Sequence, residues 1–322
     1  MALSCRYFKR LCLSQDRIDQ SPTLAMLQAI CEAHLENIPF ENLSQHGLGE
    51  PASLNVDHIA NKILERHRGG FCFEVNGLLA ELLTELGYKL VRVIAHVYKK
   101  DSGYQADATH MFLMVTVADP KRNNQEQKFL VDVGMGEPPI HPLRYDFDVP
   151  QCTPEGMVSR FVKIGGDVAL EWLDVQSGGF VPRYKFKAED ASVDGAGPAF
   201  GDFEENLKKV HCPDSIFEQK LVVCSLTRSQ KKTLAGNRLK ITGPPRFDKD
   251  AFPIVRELGG VDDVRAVLMT EFGIPLDETD GLQLTKSLKS PPELWTHLSD
   301  FWKTSDNQPK CTLGVFSLLV GR

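Results

Sequence analysis

The sequence predicts an α+β fold, with a helical segment first and a β-rich segment after it. Three observations lead there. Up to about residue 88 the apolar residues recur at helical spacing; from Lys89 they alternate or form short runs; beyond residue 202 helical and strand-like stretches mix. At 322 residues the chain has length for substantial hydrophobic cores.

The helices come first. Ser21 before Pro22 marks a start, and "PTLAMLQAICEAHLEN" puts Leu24, Leu27, Ile30, Cys31 and Leu35 on one face. "VDHIANKILERHR" forms a second helix with Ile59, Ile63 and Leu64 inward, ended by Gly69 and Gly70 in the left-handed cap that glycine favours. A third helix begins at or just after Cys72 and runs to Gly87, with Val75, Leu78, Leu79, Leu82, Leu83 and Leu86 as its stripe.

The strands follow. "KLVRVIAHVY", "HMFLMVTVA" and "KFLVDVGMG" are rich in strand-forming residues, and the polar "DPKRNNQEQK" joins the last two as a hairpin. "RFVKIGG", "VALEWLDV" and "RYKFKA" add three more, enough for a small barrel or curled sheet. "AEDASVDGAGPAFGD", residues 188–202, reads as a linker or insertion. A short helix, "FEENLKKV", comes next, then the strands "FEQKLVVCSLT" and "TLAGNRLKIT" and the helix "GVDDVRAVLMTEFG". "PPELWTHLSDFW" forms one more helix.

Composition excludes several classes. The net charge is −6, so nothing draws the chain as a whole toward nucleic acid or anionic membrane. Charges interrupt the apolar residues of "MALSCRYFKRLCLSQDR", unlike a signal peptide. No run approaches the ~20 apolar residues that span a bilayer. A cytoplasmic protein with no nucleic-acid or membrane partner is expected. The eight cysteines, at positions 5, 12, 31, 72, 152, 212, 224 and 311, contain no CxxC pair. Neither a zinc site nor a disulfide framework is expected, and most read as buried free thiols.

Cys72 is the exception. It follows Gly-Gly and opens a helix, where the dipole and free N–H groups favour an anion. A thiol is nucleophilic as its thiolate, so a histidine partner would complete the case. His110 opens the strand "HMFLMVTV". Asp132 lies in the apolar "FLVDVGMG", where an unpaired carboxylate would be costly. The predicted hairpin brings His110 and Asp132 together near its open end. Cysteine on a helix with histidine and aspartate on strands is the layout of papain-like triads. Alone, each residue has a plainer reading: a small buried thiol, a strand-end histidine, a cap at the Gly134 turn. Residues 34, 58, 67 and 96 are histidines that fit helix surfaces or strand packing, while those at 141, 211 and 297 have no partner motif.

"RGGFCFEVN" resembles the nucleophile signature of the arylamine N-acetyltransferases. "HLENIPFENLS", "ATHMFLMV" and "LVDVGMG" resemble the other blocks of that family, in the family's order. The resemblance implies a papain-like or transglutaminase-like core in three domains: a helical bundle over 1–88, a β-barrel with a linker or insertion over 89–202, and an α/β lid over 203–322. It implies Cys72, His110 and Asp132 as a catalytic triad. Acyl-CoA would then be the co-substrate, with no metal and no tightly bound cofactor. An acyl group, acetyl before propionyl or malonyl, would pass through a Cys72 thioester to an arylamine, arylhydrazine or N-hydroxyarylamine, as in xenobiotic metabolism. It places Phe40, Val97, Met135 and Phe217 around the acceptor, and Ser215 at CoA; Lys208 and Lys209, just before Pro213, offer charge for a CoA phosphate or are simply solvated helix lysines. It makes Arg68 and Glu41 a buried ion pair supporting the turn that Gly69 and Gly70 shape. Met135 stands where the family usually has phenylalanine, which makes for a more adaptable pocket. "ADA" around Asp107 replaces the family's threonine-glycine. A papain-like cysteine hydrolase with the same triad is the alternative, and a non-catalytic binding protein is the third reading. A monomer or weak homo-oligomer is expected.

Overall fold

The computed structural model describes residues 1–18, 21–48, 51–174, 177–192, 197–213, 215–243, 253–276 and 281–282. The helix expected over 291–302, with His297 and Cys311, lies outside them. Among the described residues no helix is long and apolar enough to cross a membrane.

Four helices build the first layer: α1 (Leu3–Arg10), α2 (Leu24–Asn37), α3 (Val56–Ala60) and α4 (Cys72–Glu85). Tyr7, Leu27, Ile30, Ile59, Leu78 and Leu82 are buried between them. Two boundaries differ from expectation. Thr23, not Ser21, caps α2, its Oγ1 accepting the Met26 N–H at 3.1 Å. The helix over 56–68 passes into a π-turn at Asn61–Glu65 and stops. The left-handed residue that follows is His67, with φ 52°.

Gly69 and Gly70 therefore are not a left-handed cap. Close approach demands them. A Cβ on Gly69 would lie 1.8 Å from the Pro39 carbonyl oxygen, and one on Gly70 2.7 Å from Glu74 Oε2. The pair lets the chain pass between "PFEN" and the start of α4.

Nine antiparallel strands form the second layer: β2 (Lys89–Lys99), β3 (Gly103–Tyr104), β4 (His110–Asp119), β5 (Gln125–Val131), β6 (Leu143–Arg144), β7 (Gln151–Cys152), β8 (Val158–Ile164), β9 (Asp167–Asp174) and β10 (Gly179–Lys187). Their order is β6-β5-β4-β2-β10-β9-β8-β7, with β3 on β2. Phe147, past β6, bridges to Phe161 of β8, so the sheet curls back toward itself. Strand β4 is buried on both faces. Phe112 and Met114 join Val93, Phe161, Tyr184 and Phe186 inside the curl, while Met111, Leu113 and Val115 join the helical core. That double burial explains the unbroken apolar run "HMFLMV". Strand β5 ends at Val131, so Asp132 sits just past the strand rather than inside it.

The described part of residues 188–202 is mostly exposed but anchored at two points. Ala191 is buried, and Phe200 packs so closely on Gly77 of α4 that a Cβ there would lie 2.2 Å from its ring. Then come α5 (Glu204–Val210), α6 (Ile216–Gln219), β11 (Val222–Leu226), β12 (Lys231–Ala235), β13 (Arg238–Thr242), β14 (Ile254–Glu257) and α7 (Val261–Phe272). "FEQKLVVCSLT" opens as helix because Ser215 Oγ caps it, accepting the Phe217 N–H at 3.3 Å. "TLAGNRLKIT" is a hairpin, turning at Gly236 with φ 60°. The short strand β1 (Phe40–Glu41) heads the five-stranded order β1-β11-β12-β13-β14, with Phe40 opposite Cys224.

The cysteines depart from expectation. Cys31, Cys72 and Cys224 are buried, but Cys12, Cys152 and Cys212 are exposed and Cys5 is half-buried. The exposed ones lie in a turn with positive φ, in a two-residue strand, and just after α5, where no packing face exists.

Candidate active site

The start of α4 is the centre of the site. Cys72 is the helix's first residue and is 5% exposed. Its Sγ donates to the Thr109 carbonyl at 3.6 Å, one residue before His110. Glu74, in the same first turn, accepts the Phe71 N–H at 3.4 Å, a cap that suits the helix dipole.

The β4–β5 hairpin faces this turn. Its register pairs Leu113 with Val131, so His110 and Asp132 lie diagonally on one face at the open end. His110 Nε2 donates to Asp132 Oδ2 at 2.8 Å, and the Cys72 side chain is near enough to the imidazole to influence it. Thiol, imidazole and carboxylate thus form one chain of contacts.

Asp132 is wholly buried in side chain and fully occupied. Its Oδ1 accepts from Asn76 Nδ2 at 3.1 Å and from the Gly134 N–H at 2.8 Å, and its Oδ2 accepts from the Tyr184 hydroxyl at 3.2 Å as well as from His110. Burial alone would raise its pKa, but the charge and hydrogen bond of His110 and these donors hold it below the usual carboxylate value. For His110 the balance is reversed in sign. Burial works to lower it, yet the charge and hydrogen bond of Asp132, with a contribution from Cys72, push it up to about 10.

Asn76, Tyr184 and Gly134 were not singled out as site residues from the sequence. Asn76 lies one helical turn after Cys72 on the same face, a spacing that was legible. Besides Asp132 it binds the Met111 carbonyl at 2.7 Å, and its Oδ1 accepts the Val133 N–H at 2.9 Å. It ties both strands of the hairpin to α4. Tyr184 arrives on β10 through the sheet order, with no local signal. Gly134 must be glycine, since a Cβ there would lie 2.5 Å from Cys72 Cα.

A second buried network lies under the Gly-Gly turn. Arg68 Nε and Nη2 bind Glu41 Oε1 and Oε2 at 3.0 and 3.1 Å. Glu41 also accepts from the Leu43 N–H at 2.6 Å and the Gly69 N–H at 3.3 Å. Burial tends to raise Glu41, but Arg68 and Lys62 hold it down at about 2. Lys62 Nζ lies 2.9 Å from both oxygens of Glu74, which joins this network to α4.

The chain matches the family model described as N-acetyltransferase over residues 23–281. It is 32% identical to an arylamine N-acetyltransferase of Mycolicibacterium smegmatis across 81% of this chain and 88% of that protein. The chain belongs to the arylamine N-acetyltransferase family. The pineal gland isozyme of Gallus gallus is 31% identical over 84% of this chain and 94% of its own length. A solved M. smegmatis arylamine N-acetyltransferase superposes with a TM-score of 0.75 and 29% identity, covering 90% of this chain and 100% of that one. A Mycobacterium marinum enzyme solved in complex with CoA gives 0.73 and 27%, covering 88% and 98%. The chain is an enzyme of this acyltransferase class, with the family's cysteine-protease-like α+β fold.

Within that family's frame, the other expected residues fall into separate groups. The Phe40 and Phe217 rings meet at a tilt, 5.8 Å apart, and Phe217 lies 6.4 Å from Phe71, beside the nucleophile. Met135 packs instead with the core inside the curled sheet. Val97 pairs with Tyr184 across β2 and β10. Ser215 caps α6. Lys208 is exposed and paired with Glu205 at 2.8 Å, and Lys209 pairs with Asp107 at 2.9 Å. Among the described residues no three histidine, cysteine or carboxylate side chains group as a metal set.

Proposed function

We propose that this arylamine N-acetyltransferase moves an acetyl group from acetyl-CoA to an arylamine nitrogen through a thioester on Cys72. The observation that carries the reading is the contact chain from Cys72 through His110 to an Asp132 held by four donors.

The steps follow from that geometry. The Cys72 sulfur, ionised beside the His110 imidazolium, attacks the acyl carbonyl of the CoA thioester. The tetrahedral intermediate collapses, the C–S bond to CoA breaks, and the departing CoA thiolate takes the proton from His110. Neutral His110 then accepts the proton of the arylamine as its nitrogen attacks the Cys72 thioester, and the thiolate–imidazolium pair is restored. Asp132 keeps the imidazole oriented and stabilises its charged form. Phe40, Phe71 and Phe217 offer an aromatic wall for the ring of the amine. Arg68 and Glu41 support the turn from behind. Acetyl is favoured over malonyl, since among the described residues no lysine or arginine contacts Cys72, His110 or Asp132 to meet a second carboxylate.

Intact-mass analysis tests the reading. Incubation with acetyl-, propionyl- or malonyl-CoA without amine should add one acyl group, absent in Cys72→Ala, and an arylamine should then remove it. No adduct from any donor, with Cys72 still open to alkylation, would sink the transferase mechanism.

A further inference from the structure

The network under the Gly-Gly turn borders a cavity of about 110 Å³, whose walls include Ser44, Asn61, Lys62, Arg66 and Arg68. Among the described residues, the lysine and two arginines of its lining have two carboxylates, Glu41 and Glu74, as partners. Lys62 and Arg68 are matched by Glu74 and Glu41, while Arg66, exposed, enters no ion pair among the described residues. The hydrogen-bond count tilts the same way. A guanidinium has five N–H donors, and Arg68 uses three, two on Glu41 and one on the Leu48 carbonyl at 3.1 Å. Ser44 also lines the recess, and its buried Oγ has no hydrogen-bond partner among the described residues.

Among the described residues the recess thus has one excess positive charge, two spare N–H groups on a guanidinium held in place by Glu41, and an unsatisfied hydroxyl. A buried hydroxyl without a partner is costly, so an acceptor at this place is favoured. Donors converging from several elements, two of them arginines, suit a tetrahedral oxyanion better than a planar or apolar group. We propose that this recess binds a phosphoryl group at the base of the nucleophile turn. The bound anion would bridge Arg66, Arg68 and Ser44, and so brace the segment that leads through Gly69 and Gly70 to Cys72. This inference stands apart from the acyl-transfer mechanism, because none of these side chains touches the reacting atoms.

Free inorganic phosphate and the 3′-phosphate of CoA share this chemistry, and one experiment separates them. Thermal unfolding of the full chain is followed against inorganic phosphate, CoA and dephospho-CoA, with ionic strength held constant by NaCl. Wild type, Arg66→Ala and Ser44→Ala are compared. Arg66 is exposed, so its removal leaves the core intact. The expected result is a saturable rise with phosphate of about 2–4 °C, lost in Arg66→Ala and reduced in Ser44→Ala. If phosphate gives no rise, but that from CoA falls both in Arg66→Ala and on removing the 3′-phosphate, the phosphoryl source is CoA. If Arg66→Ala matches wild type with both phosphate and CoA, the proposal is overturned.

Discussion

His34 and His110 are both buried, each touches a polar side chain from another element, and they are driven in opposite directions. His34 sits in α2 with Nδ1 at 2.8 Å from the Tyr7 hydroxyl. Burial, then the charge of Arg10, pushes it down to about 3. His110 sits at the start of β4 against Asp132 and is pushed up to about 10. Loss of solvent favours the neutral ring in both places. What differs is the neighbour: a hydroxyl cannot compensate a buried positive charge, and a carboxylate can. One histidine is therefore packing, and the other is suited to hold and release a proton beside a thiol. Residue type and burial alone do not separate the two.

Several substitutions test this contrast. The largest effect is expected from Asp132→Asn, which keeps the shape but removes the charge. If the proposed mechanism holds, kcat/KM for arylamine acetylation falls by roughly 10³–10⁴-fold. A loss below tenfold would mean that the carboxylate is not what sets the state of His110.

The next effect is on stability against pH. The folded value of His34 lies below its unfolded value of about 6.5, so the unfolded chain binds the extra proton between about 6.5 and 3. Stability should fall as pH drops through that window, with a slope approaching about 1.4 kcal/mol per pH unit for this group. His110 has the opposite sign. Its contribution is complete below about 6.5 and is lost as pH rises toward about 10. Denaturant unfolding from pH 4 to 10 should show the acid limb flattened in His34→Gln and the alkaline limb flattened in Asp132→Asn. Unchanged limbs would break the comparison.

The smallest effect is expected from Tyr184→Phe. It removes one of four donors to Asp132 and keeps the ring that lies 5.0 Å from the imidazole. A cost of about 1 kcal/mol, near fivefold in kcat/KM, follows. A loss as large as that of Asp132→Asn would give Tyr184 a more direct part.

The sequence made much of this legible because the signals were local or hairpin-ranged. Cys72 after a glycine pair, and His110 and Asp132 at one end of a hairpin, could be read without a model of the whole. Tyr184 could not, since it reaches Asp132 only because β10 pairs with β2. The glycines were legible as glycines but not in their reason. A left-handed cap and a close approach leave the same letters, and only the position of the Pro39 carbonyl distinguishes them. In "TLAGNRLKIT" the Gly-Asn turn was visible, yet the run around it reads as one strand. His34 opens the "HLENIPFENLS" block and read as a surface or packing residue. Its neutral state follows from its burial and from the charge of Arg10, which lies on another helix.

The most direct test of the contrast is a histidine-selective NMR titration of the intact enzyme. His110 should remain an imidazolium through neutral pH, titrating near 10, and should fall toward the ordinary value near 6.5 in Asp132→Asn. A wild-type His110 that already titrates near 6.5 would contradict the account, because the carboxylate would then not be holding the charge beside Cys72.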